Sequence, residues 1–587
     1  MLARLQREIP SASILRLTAK LVVMGATDDA VFQDGPMTVV FDGRPSWTGC
    51  KTGAASIAEF VRAYRSSGIE ALQELDGPFA LVLHDATRDR SVLAVDRVGI
   101  RPMAYTAAPG GSLVFSSNVA VIAAHPLVDP RPSLQSVYQY LYFHVIPSPN
   151  TIYEEIFKLE PATCLIYEDG KTTSKNYWTP RYEPIDKSDL CQLQDELRSK
   201  IRVSVRHCAY APKTASFLSG GVDSSTIAGV FRELRAHRTS AYTIGFDLPG
   251  YDEMAYAEAV TRHFDLELRD SYVTASDVAR TIPIVGASYD EPFGNSSAVA
   301  VHHCAQLAQQ DGIEVLLAGD GGDEVFAGNS RYAKQQLFEL YFRIPSVIRQ
   351  FLLDPIAKSG FLASIPGARK IASYVRQANT PMPARLNEDN MLAGSRIAEI
   401  LHPAFIDNLD SDRTAELMSA RFDLQTSELL LHRMLFLDWK FTLADNDLRK
   451  VNRMCEVNGI EAQYPLLSNA LIDLSTRVPA DLLIKRQQLR FFFKDSMSNF
   501  LPKITLRKAK HGFGLPFGQW LNETAELQAI VYPLLQSLGR RGIVKPEFLD
   551  YLVKACREDH PAYYGSVIWP YMMLEQWLQT HAIELRL

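Results

Sequence analysis

The stretch Thr214-Ala-Ser-Phe-Leu-Ser-Gly-Gly-Val-Asp-Ser-Ser-Thr-Ile-Ala-Gly-Val230 decides how the rest of the chain is read. An apolar run ends at Leu218, a glycine pair follows, and a helical pattern starts near Ser224. That is strand, tight loop, helix, an order that aims backbone N–H groups and the positive end of a helix dipole at an anion. Gly220 and Gly221 admit backbone angles closed to other residues and let a phosphate approach the chain. Ser219, Ser224 and Ser225 add hydroxyl donors, and Asp223 offers a hard oxygen suited to magnesium. The Gly-Lys-Ser/Thr ending of a Walker loop is missing, so γ-phosphate transfer of that kind is not expected.

Working outward, Leu190–His207 reads as a helix before this loop, and Ser240–Phe246 as a second buried strand after it. A helical pattern runs from Tyr251 towards His263, and Asp290-Glu-Pro-Phe-Gly-Asn-Ser-Ser297 precedes another. Gly312-Ile-Glu-Val-Leu-Leu-Ala-Gly-Asp-Gly-Gly-Asp-Glu-Val-Phe-Ala-Gly328 supplies a third strand and a second acidic glycine turn. Strands alternating with helices predict a parallel sheet whose ligands gather at the strand C-termini. Asp223 and Asp323 then follow different strands and are placed to share one or two magnesium ions. Asp320, three residues earlier, reads either as a group that orients a substrate carboxylate or moves a proton, or as a solvated turn carboxylate. His302 and His303 are adjacent on a helix and point about 100° apart, which disfavours a shared zinc.

The 587-residue length predicts more than one domain. A 47% hydrophobic and 22% charged composition is that of an ordinary globular protein, and a net charge of −6 gives no electrostatic case for nucleic acid. Seven cysteines, at 50, 164, 191, 208, 304, 455 and 556, form neither a metal spacing nor a disulfide framework and read as reduced thiols. No apolar run approaches the ~18 residues that span a bilayer. The first twenty residues lack the apolar core of a secretory signal. The expectation is a cytoplasmic protein without membrane contact.

The string Ser219-Gly-Gly-Val-Asp-Ser224 resembles the SGGxDS pyrophosphate loop of N-type ATP pyrophosphatases, which cleave ATP between its α- and β-phosphates. That resemblance implies ATP and Mg2+, a clamp on the departing pyrophosphate and a cation to neutralise it. Two later strings extend it. Asp445-Asn-Asp-Leu-Arg-Lys-Val-Asn-Arg-Met454 with Glu461-Ala-Gln-Tyr-Pro-Leu-Leu467, and Arg507-Lys-Ala-Lys-His-Gly-Phe-Gly-Leu-Pro516, resemble the DRMxMxxxxExRxPFLD and RRPKxGFGxP regions of the asparagine synthetase B-type family. By that resemblance Lys510, with Lys508 in reserve, meets the ATP phosphates and the transition state. Leu218 and Ile244 border the adenine, and Ala318 and Gly319 approach ATP through the backbone. Ser566–Trp577 matches the family's apolar closing helix.

The first third, from Leu21 to Tyr182, shows short apolar runs between turns (Met37–Phe41, Phe79–His84, Ser91–Val95, Ser112–Phe115), the pattern of an antiparallel β-rich domain. Asp76-Gly-Pro-Phe-Ala-Leu-Val-Leu-His-Asp85 and Asp96-Arg-Val-Gly-Ile-Arg-Pro-Met103 resemble class II glutamine amidotransferase domains, which hydrolyse glutamine with an N-terminal cysteine. Asp76 matches the position that grips glutamine's amine, and reads equally as a turn residue. The chain opens Met1-Leu-Ala-Arg-Leu, the family's RGPD loop is absent, and its Asn-Gly segment stands as Asp42-Gly43. Either this domain is a structural or docking element, or an upstream segment is missing from the start. Glu183–Lys187 reads as the linker.

The expected architecture is therefore two domains of α/β and α+β class. Residues 1–185 form a degenerate amidotransferase-like unit with an Ntn-hydrolase-like β-sandwich. Residues 186–587 form a parallel sheet of adenine-nucleotide α-hydrolase type with helices on both faces. The resemblance implies an ATP-dependent amide ligase that adenylates a small-molecule or peptide carboxylate and transfers nitrogen from ammonia or an amine, and it is compatible with a homodimer. Asn452, Gln463 and Ser468 replace family residues of the substrate region, leaving the acid open. Ring closure, as in β-lactam synthetases and lasso-peptide cyclases, and a non-catalytic nucleotide-binding scaffold are the alternatives.

Overall fold

The computed structural model describes residues 14–16, 22–24, 30–47, 51–355, 366–388, 390–392, 396–508 and 514–585. Cys50, Lys510 and the first residues of the chain lie outside the described residues.

The N-terminal part is built on a six-stranded antiparallel sheet. Its strands are β1 (Val31–Asp34), β2 (Met37–Gly43), β3 (Phe79–Asp85), β4 (Arg90–Val95) and a later pair, Thr163–Glu168 and Lys171–Asn176. The spatial order is Lys171–Asn176, Thr163–Glu168, β4, β3, β2, β1. Alternation along the strands gives the sheet two apolar faces. Ala80, Val82, Leu93 and Val95 pack with Met103, Tyr105, Leu113 and Phe115, from a second antiparallel sheet built on Ala104–Ala108 and Ser112–Ser116. Leu81, Leu83, Val92 and Ala94 pack instead on Ile57, Phe60, Val61 and Tyr64 of helix α1 (Ala54–Ser67). Those four residues are one stripe at i, i+3, i+4 and i+7. A strand-only reading of this region passes over that helical signal.

The C-terminal part is built on five parallel strands: β5 (Thr214–Phe217), β6 (Ser240–Gly245), β7 (Glu267–Tyr272), β8 (Val315–Leu317) and β9 (Glu461–Gln463). Their order is β7-β6-β5-β8-β9. The chain works outward from β5 in one direction and then from β8 in the other, so the strand order reverses between β5 and β8. Helices α2 (Leu190–Cys208), α3 (Val222–Glu233), α4 (Met254–Phe264) and α5 (Ser297–Gln310) surround the sheet. Ala241 of β6 packs with Ala228 of α3 and with Ala257 and Val260 of α4. The next residue, Tyr242, joins Ala300 and Cys304 of α5 in the main core. Successive side chains of a strand point to opposite faces, so helices cover both sides. The expected strands at 214, 240 and 315 are present. Strand β7 was not expected, because it is a polar edge strand with Glu267, Asp270 and Tyr272 exposed. Strand β9 has only three residues, too few to show a period.

The two parts are closely joined. The expected linker is itself held down: Glu183 N donates to Thr476 O (3.1 Å) and Ile185 N to Arg477 O (2.9 Å). Trp178 stacks on Trp439 with ring centroids 6.0 Å apart. Arg97 pairs with Asp473 at 2.8 Å. Among the described residues no helix is long and apolar enough to cross a membrane.

Candidate active site

The loop after β5 is shaped by what surrounds it. Gly220 has φ +68°, and a Cβ there would lie 2.4 Å from Tyr256 Cβ, so only glycine fits between the strand and α4. Gly221 is the N-cap of α3. Ser219 and Ser224 close the loop on itself, with Oγ–Oγ 3.0 Å and Ser219 N to Ser224 Oγ 3.2 Å. Lys508 fastens it from outside. Its Nζ donates to Ser219 O at 2.8 Å and pairs with Glu253 at 3.0 Å.

The loop after β8 lies against the first one. A Cβ on Gly322 would fall 2.4 Å from Asp223 Oδ1, so the two acidic turns approach as closely as bare backbone allows. Between them opens a cavity of about 720 Å3, lined by Leu218, Ser219, Gly221, Asp223, Ser224, Ile244, Gly319, Asp320 and Asp323 among others. Nine of the expected site residues, and the reserve candidate Lys508, thus share one cavity at the C-terminal ends of the strands where the order reverses. Ligand sites of open α/β sheets occur at such a place.

Four expected residues stand elsewhere, among them Ser225, which is fully buried and off the cavity lining. Gly220 shapes the loop from behind and is not part of the lining. Ala318 is fully buried, and its N–H is committed to Gln463 O at 2.8 Å, so of the expected backbone pair Gly319 alone faces the cavity. Asp76 is not part of the cavity lining. Its Oδ1 accepts from Gly77 N (2.7 Å) and from Asn469 N in the C-terminal part (2.8 Å), and burial pushes its carboxyl above the usual range. It fastens the two parts together.

The substrate argument from Asn452, Gln463 and Ser468 is corrected by their placement, because none lines the large cavity. Asn452 accepts from Tyr464 Oη and donates to Ile100 O, both at 2.7 Å. Gln463 is buried in β9 and donates to Glu461 at 2.7 Å. Ser468 lies at the N-terminus of the helix Asn469–Ser475. Asn452 and Gln463 thus spend their side chains on neighbouring backbone and side chains, and Ser468 Oγ is buried without a hydrogen-bond partner among the described residues.

Charges that spacing did not single out complete the site. Arg490 donates from Nη1 to Asp223 Oδ2 and from Nη2 to Asp323 Oδ1. Lys450 pairs with Asp447 at 2.8 Å and approaches Asp320 at 4.0 Å. Burial alone would lower the Lys450 pKa, but Asp447 and Asp320 outweigh it and raise it. Lys450 lies within the quoted Asp445–Met454 string, whereas Arg490 sits in a stretch without a motif. His302 and His303 face different partners, Asn458 (3.1 Å) and Thr281 (2.9 Å).

The donor set fits a magnesium ion. Among the described residues Asp223 Oδ1 is a buried oxygen without a hydrogen-bond donor, in a space that a Cβ on Gly322 would fill. Among the same residues no three His, Cys, Asp or Glu side chains converge to hold a metal unaided. Two carboxylates with phosphate and water oxygens suit Mg2+, which keeps part of its ligand shell from the substrate.

Residues 196–579 match the family model for asparagine synthase, about two thirds of the chain. The protein belongs to the asparagine synthase family. Residues 51–178 match a glutamine amidotransferase domain. The chain is 24% identical over 504 residues to asparagine synthetase [glutamine-hydrolyzing] 1 of Bacillus subtilis (strain 168), covering 86% of this chain and 77% of that protein. It is 30% identical over 301 residues to a protein provisionally named asparagine synthetase [glutamine-hydrolyzing] 2 in Methanocaldococcus jannaschii, covering 49% and 56%. A provisionally named asparagine synthetase of Mycobacterium bovis is 24% identical over 470 residues, covering 78% and 70%. This asparagine synthase family member is an ATP-dependent carbon–nitrogen ligase.

Proposed function

We propose that the large cavity binds ATP with Mg2+ beside a carboxylic acid, and that the acid is adenylated there and then amidated. The observation that carries this reading is the meeting of the two acidic glycine turns across the point where strand order reverses, with Asp223 and Asp323 both within reach of one guanidinium. Leu218 and Ile244 flank the adenine. The N–H of Gly221 at the start of α3, with Ser219 and Ser224, receives the pyrophosphate. Asp223 and Asp323 hold Mg2+, which when bound draws negative charge from the phosphates. A substrate carboxylate oxygen attacks the α-phosphorus, the bond to the β-phosphate oxygen breaks, and pyrophosphate leaves. A nitrogen then attacks the acyl carbon, AMP leaves with its oxygen, and the nitrogen loses a proton. Asp320, held near Lys450, orients the carboxylate or takes that proton. Lys510 supplies positive charge to the phosphoryl transition state.

The division into residues 1–185 and 186–587 is part of this proposal, with an Ntn-hydrolase-like sandwich in the first. That unit acts as a docking element, and the nitrogen donor is ammonia or an amine. The placement of α6 (Arg449–Val457) favours such a donor. Lys450 and Val451 face the large cavity, whereas Arg449, Asn452 and Arg453 face a separate space of about 90 Å3 against the N-terminal part. The helix stands as a wall between the two. The protein is proposed to work in the cytoplasm.

The test is pyrophosphate release from ATP and Mg2+ with aspartate and other acids, supplied with ammonium, glutamine or neither. Ammonium-dependent release that glutamine does not replace, and that Asp323→Ala abolishes, is expected. Turnover with glutamine alone refutes the proposed nitrogen source, and failure to bind ATP refutes the site.

A further inference from the structure

Asp223 and Asp323 do not stand as a bare pair awaiting a cation. Arg490 spans them, one terminal nitrogen to each, with 7% of its side chain exposed. A guanidinium is a rigid planar fork, so a single side chain satisfies two acids from different loops. Its place is built into the backbone. Arg490 has φ +55° at the start of the helix Phe491–Ser496, and its N–H reaches Ala327 O at 3.3 Å. Room for the side chain comes from Gly328, where a Cβ would lie 1.9 Å from Arg490 Nε.

We propose that Arg490 is an internal placeholder cation that clamps Asp223 to Asp323 and excludes a divalent metal from the empty site until a nucleotide arrives. The reason is competition for the same charge. A guanidinium and a divalent ion between the same two carboxylates repel each other strongly in a cavity of low dielectric. A polyphosphate brings alternative acceptors for the fork, and these free the carboxylate oxygens for the metal. Metal therefore enters with nucleotide and does not precede it. The inference rests on the nucleotide reading of this cavity and adds to it an order of binding and a residue that enforces it.

The probe is Mn2+, titrated into the full-length, nucleotide-free protein and followed by electron paramagnetic resonance. The wild type is expected to bind Mn2+ weakly. Arg490→Gln is expected to tighten binding at least tenfold, and adding Asp223→Asn to that variant is expected to return it to the wild-type level. Equal or weaker Mn2+ affinity in Arg490→Gln overturns the proposal. If Arg490→Gln does not fold by circular dichroism, Arg490→Met takes its place. Methionine also removes the charge, so tighter Mn2+ binding is again expected and unchanged affinity again overturns the proposal. Calorimetry with a non-hydrolysable ATP analogue tests the nucleotide reading separately. An absence of nucleotide binding sinks that reading, while the Mn2+ comparison still judges the clamp.

Discussion

Lys508 donates from its amino group to the backbone carbonyl of Ser219 at 2.8 Å, so a side chain on the rim of the cavity also anchors the loop after β5. The same ammonium pairs with Glu253 at 3.0 Å and lies 4.7 Å from the ring centroid of Tyr256. A buried charge-assisted hydrogen bond of this kind contributes about 1.5–3 kcal/mol. Lys508→Met is expected to raise the KM for ATP roughly 10- to 100-fold, with a smaller effect on kcat. Steady-state pyrophosphate release reads both. A kcat loss at unchanged KM would give Lys508 a direct catalytic role instead.

Gly322→Ala tests the contact between the two turns. The added methyl would meet Asp223 Oδ1 at 2.4 Å, and Asp223 is held by Arg490, so neither group is free to retreat. Site geometry displaced by about 1 Å costs on the order of 100-fold in rate. Pyrophosphate release is expected to fall at least that far while circular dichroism stays unchanged. Near-wild-type turnover would show that the turns are more yielding than their packing implies.

The buried carboxylate of Glu291 joins the two parts of the chain. It accepts from Ile152 N (3.0 Å) and Lys158 Nζ (2.8 Å) on the N-terminal side and from Arg449 (2.7 Å) on the other. Its removal leaves the buried Lys158 ammonium with only the Ile146 carbonyl, while Arg449 keeps Asp290 at 2.6 Å, a loss of about 3–5 kcal/mol. Glu291→Ala is expected to lower the melting temperature and expose the region around residue 185 to protease. An unchanged proteolysis pattern would separate stability from docking.

His432 should make the fold acid-sensitive. It is stacked on Tyr182 at 3.7 Å, and burial lowers its pKa to about 4. The unfolded chain carries an ordinary histidine near 6.5, so below that value the unfolded state binds the extra proton. The stability held by the neutral ring is complete above about pH 6.5 and is lost as pH falls towards about 4, on the order of 3 kcal/mol in all. Urea unfolding across that window should show His432→Phe with a shallower loss than wild type. Parallel curves would remove His432 from the account.

Much of the site was legible because loop chemistry is local. Ser219-Gly-Gly-Val-Asp-Ser224 and Gly319-Asp-Gly-Gly-Asp323 each declare a turn at a strand end, where glycine permits close approach and aspartate supplies oxygen. Strands β5, β6 and β8 are buried apolar runs and could be read. Strand β7 could not, because a polar edge strand carries no apolar period. Helix α1 is legible in the apolar spacing of Ile57, Phe60, Val61 and Tyr64, inside a region whose other apolar runs have the strand pattern.

Local order along the chain determined the two acidic glycine turns, the alternation of strand and helix, and the kinship with asparagine synthases, since each rests on residues a few positions apart. Only the tertiary structure decided that Arg490 lies across Asp223 and Asp323, that Lys508 grips Ser219, and that Asn452 and Gln463 face away from the cavity. Arg490 lies 267 and 167 residues from its two partners, and Lys508 lies 289 residues from Ser219. Side chains so far apart meet through the stacking of strands and helices, and no spacing in the sequence encodes the distance between them.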